Sequence, residues 1–375
     1  MPLFKDDKKS NRVRYAVVGL GWIAQEVILP AFEDAKHSEL AALVTDDPAK
    51  AQELARKYDV PQTLAYEEYD RLLGSGSIDA VYITLPNHMH KDFSVRAARA
   101  GVHVLCEKPM ADTVAECREM IQAAEEHNVK LMIAYRLHFE PANLRAIETI
   151  QEGTIGEPRI FNSVFSQQVA EGNIRLKKAM GGGPLMDMGV YQINAARYLF
   201  RDEPVEVIGA GSHGADPRFS EVHEMASAIL RFPGDRLAVF TCSFGAATAD
   251  SYQVVGTQGQ LQMEPAFDYH SDFKMKIKRE DKEKETSFDK VDEFGGEIEY
   301  FSQCVLNNTE PEPSGYEGLA DVRIVEALLA SMRSGKPVKL EPFEKRSRPS
   351  EHQKMEKPAI KPQKLVNAQS ASGDK

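Results

Sequence analysis

Lys108 lies between Glu107 and Pro109, at the end of a short apolar run over residues 102–106. A second apolar run, over residues 80–85, is followed by Pro-Asn-His-Met-His. The carboxyl ends of strands line the ligand crevice of open α/β sheets, so both segments are expected to face a ligand. A lysine at such an end can donate a hydrogen bond to a reacting oxygen and can stabilise a neighbouring anion. These residues predict chemistry on an oxygen atom of a bound substrate.

A glycine-rich turn follows the first apolar run and reads Gly-Leu-Gly-Trp-Ile-Ala over residues 19–24. Gly19 permits the tight turn, Gly21 lets backbone amides approach a pyrophosphate, and the small Ala24 lets strand and helix pack closely. The pyrophosphate would lie at the helix N-terminus, where free N–H groups and the helix dipole favour an anion. The turn therefore predicts a dinucleotide site.

The next apolar run ends at Asp46 and Asp47, about where a carboxylate meets the adenosine ribose in dinucleotide-binding folds. A carboxylate there accepts hydrogen bonds from the ribose hydroxyls and repels a 2′-phosphate, which favours NAD over NADP. Two alternatives stay open. The aspartates can instead cap the helix that starts at Pro48, and Lys50 can reach a 2′-phosphate. NAD is the predicted cofactor, and NADP is the alternative.

Elements that alternate along the first third of the chain must position these residues. Short apolar runs alternate with amphipathic segments, which predicts βαβ units around a parallel sheet whose strands are buried on both faces. The predicted strands are 15–20, 40–45, 80–85, 102–106 and 131–135, and the predicted helices are 23–35, 48–58, 92–100 and 113–128. We expect an N-terminal extension over residues 1–11 and an α/β Rossmann domain, a doubly wound parallel sheet, over residues 12–135.

The pattern changes after residue 135, where β-type runs follow one another with few helices between them. Such an order predicts an α+β domain with an open, mostly antiparallel sheet. The predicted strands are 159–169, 205–212, 224–232, 236–246, 252–256 and 272–278, and the predicted helical segments are 138–151, 181–200 and 319–334. We expect residues 136–343 to bind the substrate and to mediate oligomerisation.

The last segment, residues 344–375, is rich in proline and lysine, with eight lysines and arginines against four acidic residues. A segment with so little apolar character predicts a disordered tail. The alternative is an extended arm that lies along a partner subunit.

Composition excludes several classes of function. The net charge of −11 would repel phosphate backbones, so nucleic acid is not an expected partner. No stretch approaches ~18 uninterrupted apolar residues, and the N-terminus lacks the apolar core of a signal peptide, so neither a membrane span nor secretion is expected. The cysteine spacing predicts reduced thiols in a cytoplasmic protein, and no cluster with ligand spacing predicts a metal site.

Taken together, these motifs resemble the Gfo/Idh/MocA oxidoreductase family, named for glucose–fructose oxidoreductase and inositol dehydrogenase. The resemblance covers about residues 12–340, and its anchors are the turn over 19–24, Leu-Pro-Asn-His-Met-His over 85–90, the triplet over 107–109 and Gly-Gly-Gly-Pro-Leu-Met-Asp-Met-Gly-Val-Tyr over 181–191. Many members have a histidine where this chain has Tyr191. The tyrosine and the segments over 135–138 and 173–176 are similar to the glucose–fructose oxidoreductase branch, although Ile174 replaces a common tryptophan.

The resemblance implies that Lys108, Asp187 and Tyr191 are catalytic. Oxidation of a hydroxyl group requires a general base that takes the proton while a hydride leaves. Free tyrosine titrates near ~10, so a tyrosine base needs a nearby positive charge, which Lys108 would supply. Asp187 would orient the lysine or the substrate hydroxyl, four residues before Tyr191 on one helix face. The glycines over 181–183 are expected to let the backbone approach a ligand.

The motifs and the resemblance together predict which residues hold the cofactor. They are Gly19, Gly21, Trp22, Ile23, Ala24, Asp46, Lys50, Leu85, Pro86, Asn87, His90, Glu107, Lys108, Arg136 and Arg175.

The predicted function is that of an NAD(P)-dependent oxidoreductase acting on the CH–OH group of a sugar, from aldose to lactone or in reverse. The alternatives are a cyclic polyol or dihydrodiol dehydrogenase, an NAD-dependent glycoside hydrolase and a non-catalytic dinucleotide-binding sensor. A sheet face left uncovered in the second domain would expose apolar side chains to water and favour aggregation. We therefore expect a homodimer or homotetramer that packs these faces together.

Overall fold

The computed structural model describes residues 11–345 and 347–373. The predicted N-terminal extension therefore lies outside the described residues, except for residue 11. The description begins one residue before the first edge of the predicted Rossmann domain and includes most of the basic tail.

A six-stranded parallel sheet forms the first third of the described chain. Its strands are β1 Val13–Val18, β2 Ser38–Val44, β3 Gln62–Leu64, β4 Ala80–Ile83, β5 His103–Glu107 and β6 Leu131–Ala134. They lie in the order β3-β2-β1-β4-β5-β6, and every pair is parallel. The order reverses between β1 and β4, where such sheets open a crevice for a ligand.

The helices in this part of the chain are α1 Leu29–Ala31, which continues a π-helical turn over Ala24–Ile28, then α2 Pro48–Lys57, α3 Tyr69–Leu73, α4 His90–Arg99 and α5 Val114–Glu126. Of these helices, α2 and α5 begin at side-chain caps, Asp47 and Thr113. Thr113 and Glu116 form a reciprocal capping box at the start of α5. The strands between the helices are buried on both faces, as their apolar runs predicted.

The second sheet has nine strands within the described residues. They are β7 Pro158–Ser166, β8 Glu206–Ser212, β9 Met225–Phe232, β10 Arg236–Ser243, β11 Ala249–Gly256, β12 Gln260–Met263, β13 Phe273–Arg279, β14 Lys282–Phe288 and β15 Val338–Lys339. The order is β14-β13-β12-β11-β7-β10-β9-β8-β15, and only the β7–β10 pair is parallel among these strands. The predicted fold class, α/β plus a mostly antiparallel α+β sheet, is confirmed.

Four further helices complete the described chain. They are α6 Pro141–Gln151, α7 Val190–Phe200, α8 Glu293–Asn307 and α9 Gly315–Ser334. The sequence did not predict α8, and α8 packs Phe294, Ile298 and Phe301 into the core beneath the first sheet. The chain therefore returns to the first sheet from within the segment expected to be the second domain. Buried glutamates on α8 interrupt its apolar periodicity, which explains why the helix was missed.

One face of the second sheet packs against the helices, and the other exposes apolar side chains. This exposed sheet patch consists of Ile160, Val164, Ile208, Ile229, Leu237 and Val239. Cross-strand pairing places Ile229 beside both Ile208 and Val239, so the patch is continuous across β8, β9 and β10. Among the described helices, none combines the length and the apolar character needed to cross a membrane.

The basic tail takes an extended path along its own chain, so the prediction of disorder is not what the structure shows. The side chain of Lys345 is 2% exposed and forms ion pairs with Glu312 at 2.7 Å and Glu317 at 2.6 Å. Farther along, the Met355 amide donates to the Phe139 carbonyl at 3.4 Å. Composition predicted disorder because the tail has few apolar groups. Its polar groups, however, form ion pairs and hydrogen bonds with the rest of the chain.

Candidate active site

The three predicted catalytic residues come together at the carboxyl edge of the first sheet. Lys108 follows β5, Asp187 lies in a π-helical turn over Leu185–Gly189, and Tyr191 lies in the first turn of α7. The Lys108 Nζ donates to Asp187 Oδ1 at 3.0 Å and to the Asp187 carbonyl at 3.1 Å. The same Nζ stands 4.5 Å from the centre of the Tyr191 ring. The lysine thus contacts both other residues.

Charge at the site is fixed by these contacts. Burial alone would lower the pKa of Lys108, but the oxygens of Tyr191, Asp187 and Glu107 raise it above its ordinary value. Burial would likewise raise the pKa of Asp187, but Lys108 and Arg175 hold it well below its usual range. Lys108 is therefore an ammonium at neutral pH. It can donate a hydrogen bond and stabilise an anion, but it is not a base.

Arg136 brings a second cation to Tyr191. Its Nε donates to the Tyr191 hydroxyl over a long 3.4 Å, and its guanidinium lies 5.2 Å from the ring centre. The other two guanidinium nitrogens bind the Glu293 carboxylate and the Phe267 carbonyl. The side chain is only 4% exposed. Arg136 therefore reaches the site through Tyr191. Its direct contact with the cofactor stays a prediction.

Aromatic rings from the second sheet and its loops surround Tyr191, and the sequence did not identify them. Phe165 packs edge-on against Tyr191 at 5.8 Å, and Phe267 lies 6.1 Å away. Tyr269 stands 5.1 Å from the Arg136 guanidinium and 6.4 Å from the Trp22 ring of the glycine turn. These aromatic residues belong to no sequence motif, and only the tertiary packing brings them to the site.

The glycine turn is shaped to admit a dinucleotide. Gly19 has a φ of +94°, and a Cβ there would stand 2.9 Å from the Thr84 carbonyl, so only glycine fits. At Gly21 no described atom lies within 4 Å of the place a Cβ would occupy, and the residue is exposed. The Gln25 amide donates back to the Gly21 carbonyl at 3.2 Å, which starts the helix. The open space over Gly21, at a helix N-terminus, fits the pyrophosphate of NAD(P).

The two aspartates after β2 have different roles. Asp47 caps α2, because its Oδ1 accepts a hydrogen bond from the Lys50 amide at 3.0 Å. The Lys50 ammonium turns toward the same carboxylate, at 3.9 Å. Asp46 is exposed and is not the cap. Asp47 therefore takes the role of the cap, and the contact of Asp46 with the adenosine ribose stays a prediction.

The other predicted cofactor residues divide between the crevice and the interior. Leu85 is buried beside the glycine turn, and Ile23 and Pro86 are half-buried. Asn87 donates to the Gly181 carbonyl at 2.8 Å and so ties the β4 loop to the glycine-rich stretch. Glu107 accepts a hydrogen bond from the Tyr82 hydroxyl at 3.0 Å, with Lys108 next in the chain. Arg175 donates to Asp187 Oδ2 at 2.8 Å and reaches the site through that carboxylate.

His90 does not face the crevice, contrary to the prediction that it binds the cofactor. Its ring is fully buried, with Nδ1 2.9 Å from the Pro109 carbonyl and Nε2 2.8 Å from the Leu85 carbonyl. Burial lowers its pKa. The histidine holds together the two loops that follow β4 and β5, and its effect on the site is indirect.

Gly181 and Gly182 allow close packing between protein segments, whereas the nearest described atom to a Cβ at Gly183 would be 3.9 Å away, in Val222. The approach of this stretch to a ligand stays a prediction. A Cβ at Gly182 would overlap the carbonyl oxygens of Arg175 and Lys177, and one at Gly181 would overlap the Asp112 carboxylate. These contacts bring the turn that carries Arg175 close to Asp187. Among the residues that the structure describes, no group of three potential ligands could hold a metal ion.

Comparison with known proteins places this geometry in a family. A model described as "Oxidoreductase family, NAD-binding Rossmann fold" matches residues 13–135, and one for the GFO/IDH/MocA C-terminal domain matches residues 143–262. These matches cover the glycine turn, Lys108 and Tyr191. The cofactor that this fold binds is NAD(P), in agreement with the open space over Gly21.

Relatives of known structure or activity share most of the chain. A D-xylose 1-dehydrogenase [NADP(+)] of Haloarcula marismortui is 34% identical over 88% of this chain and 94% of its own length. An aldose-aldose oxidoreductase from Caulobacter crescentus, solved with glycerol, is 37% identical, with a TM-score of 0.84 over 88% of this chain and all of its own. A 3-ketoreductase from Actinomadura kijaniata, solved with NADP, is 28% identical, with a TM-score of 0.79 over 85% of this chain and 98% of its own. The chain belongs to the GFO/IDH/MocA family of NAD(P)-dependent oxidoreductases.

Proposed function

We propose that the protein oxidises the anomeric hydroxyl group of an aldose to a lactone with NAD(P)⁺, or reduces the corresponding carbonyl in reverse. The names of the Haloarcula and Caulobacter relatives support this substrate class. The observation that carries the proposal is the contact between the Lys108 ammonium and the Tyr191 ring, at the strand edge that bears the glycine turn. A phenol flanked by cations is equipped to exchange a proton with a sugar hydroxyl.

Each residue has a distinct part in this chemistry. A bound nicotinamide ring supplies the hydride acceptor or donor. Tyr191, as a phenolate, takes the proton from the sugar hydroxyl while the hydride leaves the same carbon. Lys108 and Arg136 stabilise the phenolate, and Asp187 holds Lys108 in place. In the reductive direction Tyr191 returns the proton to the carbonyl oxygen.

A substrate panel tests the proposal. The enzyme is incubated with NAD⁺ or NADP⁺ and a set of aldoses and cyclic polyols, the absorbance of reduced nicotinamide is followed, and the product is identified by NMR. Lactone formation from an aldose is the expected result. Oxidation of cyclic polyols alone would show that the substrate is a cyclic polyol and not an aldose. Loss of a nitrophenyl glycoside without net reduced cofactor would indicate a hydrolase, and tight dinucleotide binding without turnover would indicate a sensor.

We propose further that Asp46 makes NAD the preferred cofactor, with NADP as the alternative. Replacing Asp46 with serine removes a negative charge that would face a 2′-phosphate. The ratio of kcat/KM for NADP⁺ to that for NAD⁺ should rise about tenfold or more, which equals ~1.4 kcal/mol. Steady-state kinetics with both cofactors measure the ratio. Asp47→Asn is the matched control, because asparagine keeps the cap of α2 and removes the same charge one residue away. A ratio that changes equally in both variants would contradict the assignment.

We propose that two subunits pack their exposed sheet patches together to form a dimer or a dimer of dimers. Replacing both Ile229 and Val239 with lysine places charges on neighbouring strands at the centre of the patch. Sedimentation at micromolar concentration should show a monomer for this variant and an oligomer for the unmodified protein. Leu306→Lys, on α8 and 38% exposed, is the control and should sediment unchanged. An unmodified protein that sediments as a monomer would refute the proposal.

We also propose a cytoplasmic location. All four cysteines carry buried, free thiols. Burial raises the pKa of Cys106, which keeps that thiol protonated and unreactive. Fractionation of the source cells, with detection by antibody, would test the location.

A further inference from the structure

A chain of three polar groups runs through the interior and ends beside Lys108. It begins at Glu297 of α8, which is 0% exposed. The Glu297 Oε1 stands 2.8 Å from the hydroxyl oxygen of Tyr82, a fully buried residue of β4. The same hydroxyl oxygen stands 3.0 Å from Oε1 of Glu107, the residue before Lys108. Tyr82 therefore links a carboxyl group of α8 to the carboxyl group at the end of β5.

This chain has too few hydrogen atoms if both carboxyl groups are ionised. A phenol has one hydrogen to donate, and an ionised carboxylate has none. The two contacts of the Tyr82 hydroxyl would then share a single hydrogen, and one carboxylate oxygen would face the phenol oxygen with no hydrogen between them. Buried polar groups are rarely left unpaired in this way. A second hydrogen, on one of the two carboxyl groups, completes both contacts.

The surroundings favour Glu297 over Glu107 as the carrier of the second hydrogen. Burial raises the pKa of Glu107, but Lys108 and Arg136 act against that effect. Burial raises the pKa of Glu297 well above its ordinary value, and the carboxylate of Glu107 adds to the effect. The Glu297 Oε2 is also buried, with no hydrogen-bond partner among the described residues. An unpaired oxygen in the interior costs less free energy on a neutral acid than on an anion.

Other groups around Glu297 do not supply a free positive charge to it. The groups that act on it, from β4, β5, the turn after β6 and α8 itself, are Tyr82, Glu107, Arg136 and Glu293. Arg136, the cation of this set, already binds the carboxylate of Glu293. The hydroxyl groups of Tyr15 and Ser38, on β1 and β2, bond to Ser302 of α8 at 2.7 and 2.8 Å. These contacts leave Glu297 without an ion-pair partner among the described residues.

The place of this hydrogen sets the net charge around the tyrosine of the site. Lys108 and Arg136 both contact Tyr191. A phenolate there adds a negative charge to a largely buried cluster, and each further carboxylate nearby opposes it. A protonated Glu297 adds no charge, so Glu107 is the single anion of the chain.

We infer that Glu297 is a positioning residue that keeps a proton at neutral pH and donates it to Tyr82, so that Tyr82 donates to Glu107 and fixes it as the anion beside Lys108. The hydrogen bonds then run in one direction, and each strengthens the next. Helix α8 thereby completes the chain without a second anion that would oppose the Tyr191 phenolate. This consequence for the reaction rests on the proposed function, whereas the place of the proton does not.

Infrared spectroscopy of the purified protein at neutral pH locates the proton. Glu297→Gln and Glu107→Gln are a matched pair, because each replaces one carboxyl group of the chain with an amide of nearly the same shape. The spectrum of the unmodified protein minus that of Glu297→Gln should contain the C=O stretch of a protonated carboxyl group, which shifts in heavy water. The same difference for Glu107→Gln should contain the bands of an ionised carboxylate and no acid band. The reverse pattern, or carboxylate bands in both differences, would overturn the inference.

Tyr82→Phe keeps the inference testable if Glu297→Gln does not fold, which thermal unfolding would reveal. Phenylalanine keeps the ring and removes the hydroxyl group that accepts from Glu297. The C=O stretch of the protonated carboxyl group should then move to higher frequency, because the acid has lost its acceptor. Acid bands that are the same in Tyr82→Phe and in the unmodified protein would overturn the inference.

The pH dependence of kcat/KM for sugar oxidation tests the consequence for the reaction. The rate should fall as the pH falls, because Tyr191 must be a phenolate to accept the proton. Glu107→Gln removes an anion that opposes the phenolate, so the half-maximal pH should move down by about half a unit or more. Glu297→Gln removes no charge and should move it by less than about 0.2 units. Equal shifts in the two variants would show two ionised carboxylates and overturn the inference.

The two measurements separate failure of the inference from failure of the proposed function. If no sugar is oxidised under any condition, the proposed function is wrong, and the infrared bands still decide where the proton lies. If sugars are oxidised and the infrared differences place no proton on Glu297, the inference alone is wrong.

Discussion

Replacing Lys108 with methionine should lower kcat by about 10²–10⁴-fold, the range typical of a lost proton-transfer partner. Methionine keeps the length and apolar stem of lysine but removes the charge that lies over the Tyr191 ring. A phenolate would then lose its nearest ammonium, and the transition state would lose more than the ground state. Steady-state kinetics with the best aldose give kcat, and dinucleotide binding is measured separately by fluorescence.

The fold should survive this change, because Asp187 retains its ion pair with Arg175 at 2.8 Å. Lys91→Met is the control, since Lys91 forms an ion pair with Glu119 at 3.6 Å, and both side chains are partly exposed. Thermal unfolding of both variants should stay close to that of the unmodified protein. If Lys108→Met turned over as fast as Lys91→Met, the ammonium would have no part in the chemistry.

Replacing Tyr191 with phenylalanine should have an effect of similar size, again about 10²–10⁴-fold on kcat. The substitution removes one hydroxyl group and leaves the ring packed against Phe165 and Phe267. KM should change much less than kcat, because the lost hydroxyl group transfers the proton in the transition state and contributes little to the binding of the sugar. Kinetics over the full panel of accepted sugars test the prediction.

Tyr316→Phe is the matched control for this variant, because Tyr316 is 48% exposed and its hydroxyl donates to Glu125 on the surface. It should keep full activity. Full activity of Tyr191→Phe on every accepted sugar would show that another group is the base. If Lys108 and Tyr191 act as a unit, the double variant should lose little more than either single variant does.

Helix α8 and the order of the basic tail were not predicted from the sequence. α8 escaped prediction because its buried face carries Glu293 and Glu297, which break the apolar pattern that identifies a core helix. The order of the basic tail was not predicted because its composition resembles that of disordered segments. Its order depends on distant partners such as Gln25, which lies 341 residues from Val366 in the sequence. In both cases polar groups are buried because distant polar groups satisfy them. No local pattern records such a pairing.

What the sequence determined by itself is the dinucleotide turn, the two sheets and the identity of the three catalytic candidates. The turn and the sheets follow from local rules, because a tight turn requires glycine and a strand buried on both faces requires an apolar run. The three catalytic candidates follow from the family resemblance. The tertiary structure alone decided that Arg136 binds Glu293, 157 residues away, and thereby stands against Tyr191. It also decided that His90 turns inward and that the basic tail binds Gln25, Asp47 and Ala170. Such contacts depend on which distant groups can satisfy a buried charge or amide, and that depends on the tertiary structure.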